Sequence, residues 1–118
     1  MSADTLRRAL IACGGLYASA GVALSAYAAH AADAGARGSL QSAALIALLH
    51  GVALAALPRQ VSRHVGWAAL LMLAVGTALF SGTIVAAHAF GMPTRLAPFG
   101  GSLLILGWLL FAIDAIRR

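Results

Sequence analysis

Apolar residues in this chain do not alternate with polar ones; they run on, and the polar positions gather at a few intervals. Four nearly uncharged stretches result: Ala9–Ala32 (24 residues), Leu40–Leu57 (18), Val65–Phe90 (26) and Leu96–Ile113 (18). At about 1.5 Å of rise per residue, even 18 residues reach about 27 Å as a helix, close to the thickness of a bilayer's hydrocarbon core. The pattern predicts transmembrane helices over about residues 9–32, 40–57, 65–90 and 96–116. The expected fold is all-α: a polytopic membrane protein, one four-helix bundle over residues 1–118 with short loops. The intervals carry the breakers such loops need: Asp33 to Ser39 with two glycines, Pro58 to His64, and Gly91 to Arg95 with Pro93. Pro98 falls in the first turn of the fourth helix, where its missing N–H leaves no intrahelical bond unmade.

Small residues recur within the helices at contact spacing. In the first, Gly14, Ala18, Gly21, Ser25, Ala28 and Ala32 follow one another at alternating steps of four and three. A seam of this kind lets a second backbone approach, so that van der Waals contact replaces the hydrophobic drive that lipid cannot supply. Ala78, Gly82 and Ala89 form a similar face on the third helix, and Gly100, Gly101 and Gly107 thin the fourth. Gly14, Gly21, Gly82, Gly100, Gly101 and Gly107 are therefore the expected packing positions. Through the Gly14-Ala18-Gly21-Ser25 face, the expected partners are membrane lipids and a second copy or a larger membrane complex.

Composition agrees with a membrane solvent: 62% apolar residues, 9% charged residues and a mean hydropathy of +0.93 lie outside the range of soluble domains. All eight basic residues are arginine, and the isoelectric point near 11.2 would suggest nucleic acid in a soluble chain. Here the arginines punctuate the apolar runs instead of forming a stripe with interleaved aromatics, so no nucleic-acid partner is expected. Arg7, Arg8, Arg59, Arg63, Arg117 and Arg118 fall on one side and Arg37 and Arg95 on the other, which predicts a multi-pass protein of a bacterial inner membrane with both termini cytoplasmic. A rival reading takes Arg7 and Arg8 as the start of a signal peptide cleaved near Ala26-Tyr27-Ala28, but the apolar run exceeds the roughly 7–15 residues of such a segment. Cys13 is the single cysteine, so no intrachain disulfide, CxxC pair or haem-attachment motif is available.

Polar residues inside the spans are expensive and face protein or a cavity, which makes each a functional candidate. His50 lies roughly 10–15 Å from either end of its helix, near the midplane. Two roles are open to it: a structural bolt hydrogen-bonded to a neighbouring helix, or a ligand or proton site. Thr77, Ser81 and His88 share one face of the third helix, with Ser81 the partner to test for His50, although such hydroxyls can also bond their own backbone. Asp114 is expected to form a solvated ion pair with Arg117 and Arg118. His30 and His88 sit in two copies of "AAHA", each seven residues before an arginine. With Tyr27 they form a candidate site at the outer face touching lipid headgroups. A structural zinc site wants four ligands and the neighbourhood offers no fourth, so no metal, cofactor or catalytic residue is assigned.

Leu79-Phe80-Ser81-Gly82 followed by Pro98-Phe99-Gly100-Gly101 and Gly107-Trp108 resembles the C-terminal half of a family of small bacterial inner-membrane proteins, the YgdD-like family, catalogued as domain of unknown function 423. Ala23-Leu24-Ser25-Ala26-Tyr27-Ala28-Ala29-His30 resembles the family's glycine-bearing segment ending in Ala-His, and Leu49-His50 its Phe-His. This chain has Ser25 and Ala28 where that family has glycines, and Ile46-Ala47 where it often has Tyr-Gln. The resemblance implies a four-helix inner-membrane protein and no established reaction. Three functions are then in competition. The first is a non-enzymatic packing or scaffold protein that binds lipid or a partner. The second is a small-molecule or proton-coupled transporter using His50, similar in length to the small multidrug exporters but without a glutamate anywhere. The third is a haem-binding subunit using His30 and His88. Enzymatic catalysis is not expected, because no nucleophile and base pair and no phosphate loop is present.

Overall fold

The computed structural model describes residues 1–30 and 32–117. It contains α1 (Ala3–His30), α2 (Ala34–Ala56), a single 3₁₀ turn at Leu57–Gln60, α3 (His64–Phe90) and α4 (Ala97–Arg117). Each of the four helices is long and apolar enough to cross a membrane, and the longest dimension of the molecule, 47 Å, matches a bilayer with its headgroups. The chain is a multi-pass membrane protein built as two helical hairpins. The start of α1, the end of α4 and the 3₁₀ turn lie at one end, the terminal end; the α1–α2 and α3–α4 turns lie at the other, the hairpin end.

Helix ends differ from the hydropathy reading because capping, not apolarity, stops a helix. α1 begins at Ala3 instead of residue 9, and α2 begins at Ala34 instead of Leu40. Asp33 supplies the reason for the second: its carboxylate accepts the Ala36 N–H at 2.9 Å, satisfying one of the orphan donors of a first turn. Gly35 and Gly38, read as loop residues, are thus inside a helix. α1 ends at His30, short of the expected Ala32; Ala31 and Arg118 lie outside the described residues, and with Arg118 its expected pairing with Asp114. At the far end of α3, Gly91 adopts φ 68° and its N–H returns to the Ala87 carbonyl, a left-handed cap that glycine adopts without steric cost.

Each hairpin closes on glycine. A Cβ built on Gly14 would lie 2.6 Å from the Gly51 carbonyl oxygen and 2.5 Å from the Ala55 nitrogen, and one on Gly21 would meet the Leu48 nitrogen at 2.7 Å. In the second hairpin, a Cβ on Gly100 would lie 2.5 Å from the Phe80 nitrogen and 2.8 Å from the Gly76 carbonyl. The seam of the first helix therefore faces α2 of the same chain, not a second copy. Gly14, Gly21, Gly100 and Gly107 pack as expected. Gly82 does not, since no atom lies within 4 Å of its added Cβ, and Gly101 makes only an ordinary 3.9 Å contact with the Phe80 ring. Ala78 and Ala89 are exposed. The third-helix face built on Gly82 is therefore open surface.

The hairpins meet through α2 and α3, around Leu54, Val61, Leu70 and Leu73. At the terminal end, Arg7 donates to the Pro58 carbonyl at 3.0 Å and lays its guanidinium 5.2 Å over the Trp67 ring. Arg63 donates to the Arg117 carbonyl at 2.6 Å, capping α4. Asp114 departs from the expected solvated pair: it is 2% exposed and lies against Gly66, where a Cβ would come within 2.9 Å of its carboxylate. Gly66, in the first turn of α3, lets a residue of α4 enter the bundle.

Candidate functional site

His50 is placed in the bundle by α2 at 6% exposure, one residue before the glycine that packs on α1. Nδ1 lies 2.8 Å from the Ile46 carbonyl one turn back, and Nε2 lies 3.0 Å from Nε1 of Trp108 on α4. A carbonyl can only accept and an indole N–H can only donate, so the pair of contacts assigns the proton to Nδ1 and leaves Nε2 as the acceptor. Both nitrogens of the neutral ring are then satisfied. A second proton, on Nε2, would point at the indole N–H, donor against donor. Trp108 also stacks edge-on against Phe111 at 5.9 Å, which holds its N–H toward α2.

Ser81 is not the partner of His50. Its hydroxyl donates to the Ala43 carbonyl of α2 at 2.8 Å, and Thr77 donates to the Leu73 carbonyl of its own helix at 2.7 Å. These three polar groups, expected as one site, are brought to the same interior and each is fastened to a different acceptor or donor. Trp108 was missed as a site residue because an apolar-run reading treats tryptophan as lipid-facing or interfacial. Its signal was position: Trp108 lies mid-span, directly after a packing glycine, where its N–H needs an acceptor. Gly51 and Gly76 were missed as packing residues, although Ala44, Ala47, Gly51 and Ala55 repeat at helical contact spacing on α2.

At the hairpin end, Tyr27 on α1 and His88 on α3 share a 2.9 Å hydrogen bond between the tyrosine hydroxyl and Nε2, with the rings edge-to-face at 5.6 Å. His30 is exposed. The structure thus joins His88 to Tyr27 and takes up the His88 nitrogen that a two-histidine haem site would draw on. Among the described residues, no three His, Cys, Asp or Glu side chains converge as metal ligands. Arg37, seven residues after His30, turns back to donate to the Ala28 and Ala32 carbonyls at 3.2 and 3.3 Å, closing the open end of α1.

Between α1 and α3 an open groove of about 440 Å³ runs from mid-height to the hairpin end, within the size range of small-ligand sites. Tyr17, Leu24, Ala47, Gly82, Val85 and Phe90 are among its walls. At its mid-height end Tyr17 donates to the Ala74 carbonyl at 2.8 Å; the Tyr27–His88 pair joins α1 to α3 nearer the hairpin end and is not among the groove's walls. Thr77 and Ser81 also line it, but their hydroxyl protons are committed to backbone carbonyls, so the surface offered is apolar.

A family model described as protein of unknown function (DUF423) matches residues 24–101, two thirds of the chain. The chain belongs to this family. The match runs from the second half of α1 through α2 and α3 to the start of α4, and so includes His50, both interior hydroxyls and the Gly76–Gly100 contact of this DUF423 protein. No solved structure matches it.

Proposed function

We propose that this DUF423 protein is a non-enzymatic scaffold of a bacterial inner membrane, with both termini cytoplasmic, that works through its lipid- and partner-facing surface and not by moving protons or solutes through its interior. The observation that carries the reading is His50. A transport histidine must be able to take and release a proton or ligand, and both nitrogens of this one are matched to fixed partners, with the neighbouring hydroxyls equally committed. A ring held from α2 to α4 serves as a bolt, since interhelical hydrogen bonds of this kind contribute about 1–2 kcal/mol in model membranes. The arginine distribution supports the orientation by the positive-inside bias. Reconstituted in liposomes under a pH gradient, the parent protein is expected to pass no more protons than empty vesicles. A proton flux abolished by His50→Gln would overturn the scaffold reading in favour of transport.

A further inference from the structure

We infer that the groove between α1 and α3 seats one acyl chain of a phospholipid from the leaflet at the hairpin end, which names the ligand of the lipid-facing surface proposed above. Length decides between occupants. Tyr17 and Tyr27 are ten residues apart on α1, about 15 Å along the axis, which is half of a hydrocarbon core of about 30 Å. Tyr17 stands near the middle of α1 and Tyr27 near its hairpin end, so the groove is one leaflet deep. A transmembrane helix from a second copy would need a trough running through both leaflets and about 10 Å wide, and the crosspiece from Tyr17 to Ala74 closes this one at mid-height. A flexible chain that passes over the Tyr27–His88 bond from the headgroup level, enters the open side of the groove and ends at the midplane fits that outline.

The chemistry of the walls agrees. The hydroxyls of Thr77 and Ser81 are bonded to backbone carbonyls, so neither is a spare donor to recognise a polar solute. Gly82 leaves open space where any side chain would project. The basic side chains exposed at the hairpin end include His30, Arg37 and Arg95; Arg37 already donates to the Ala28 and Ala32 carbonyls, and the carboxylate of Asp33 already accepts the Ala36 N–H, which leaves His30 and Arg95 as the rim. That rim suits the phosphate of a lipid headgroup, with Tyr27 at the depth where tyrosines mark the membrane interface. Neither His50 nor Trp108 takes part, so occupancy of the groove and the proton silence of the interior are read out separately.

The test is native mass spectrometry of protein released in mild detergent from nanodiscs of phosphatidylcholine and phosphatidylglycerol. The parent is expected to retain one phospholipid, enriched in phosphatidylglycerol, and Gly82→Leu, which fills the groove without touching backbone, to lower retention about tenfold with an unchanged melting temperature. Ile105→Phe, on the exposed face of α4, should retain the lipid as the parent does. Equal retention by parent and Gly82→Leu, or a parent that emerges free of lipid, overturns the proposal. So does efficient disulfide cross-linking between copies of Gly82→Cys in a Cys13→Ser background, which would make a second copy the occupant. Equal retention of the two lipids removes the role of the basic rim.

Discussion

The two hairpins solve the same problem with the same device and then diverge. In each, a pair of glycines brings two backbones together: the Gly14 carbonyl oxygen lies 2.7 Å from where a Cβ on Gly51 would stand, and the Gly76 carbonyl oxygen 2.8 Å from the equivalent point on Gly100. From that shared contact, close packing extends in opposite directions. The first hairpin adds Gly21, toward its turn; the second adds Gly107 and Gly66, toward the terminal end. The turns diverge as well, since Arg37 and Asp33 close the first while Gly91 in a left-handed conformation ends α3 in the second. Backbones approach where glycines repeat, and the hairpin-end half of α3, with Gly82 turned outward, is left free to border a groove. The echo of "AAHA" does not follow the structural correspondence: His30 lies sixteen residues after Gly14, whereas His88 lies twelve after Gly76, a mismatch of about one helical turn. Coincidence in a chain with 29 alanines accounts for it better than duplication.

Side chains placed where the backbones meet should have the largest effect. Gly51→Leu and Gly100→Leu should each cost about 3 kcal/mol or more, the upper end of overpacking, because the opposing atoms are backbone and cannot rotate away. Thermal unfolding in detergent measures the loss, and Gly82→Leu serves as the silent control. If Gly51→Leu melts with the parent, the hairpins are not closed by these contacts.

Smaller effects concern the link between the hairpins. His50→Leu should lose about 1–2 kcal/mol and His50→Gln recover part of it. Trp108→Phe should lose a similar amount, and the double variant less than the sum of the two, as expected for partners in one hydrogen bond. Strict additivity would mean that His50 and Trp108 do not bond across the bundle, and a His50→Leu protein at least as heat-resistant as the parent would remove the bolt.

The smallest effects separate the two turns. Arg37→Ala should lower stability by about 0.5–1.5 kcal/mol through two lost bonds to the end of α1, and Arg95→Ala should leave it unchanged. Hydrogen exchange at residues 26–30 should quicken in the first variant alone. Equal effects of the two substitutions would restore the equivalence that the repeated motif suggested.

Fold class, the number of spans and the places where the chain turns are legible in the residues alone, because hydropathy over some twenty residues reports the solvent of a helix regardless of its neighbours. Local chemistry that acts within a few positions was also within reach: Pro98 in a first turn, Thr77 bonded to its own helix, small residues at contact spacing on α1. Contacts between helices were not, since spacing shows that a face is thin but not which backbone lies against it. Gly14 and Gly21 proved to serve α2 of the same chain, Gly82 proved to face open space, and Asp114 turned inward because Gly66 makes room for it. For the same reason His50 was recognisable as a polar group needing partners, while the identity of Trp108 as one of them depended on α4 crossing near α2. Hydropathy is additive along the chain; glycine contacts and hydrogen bonds are pairwise across it, and only the packed bundle brings those pairs together.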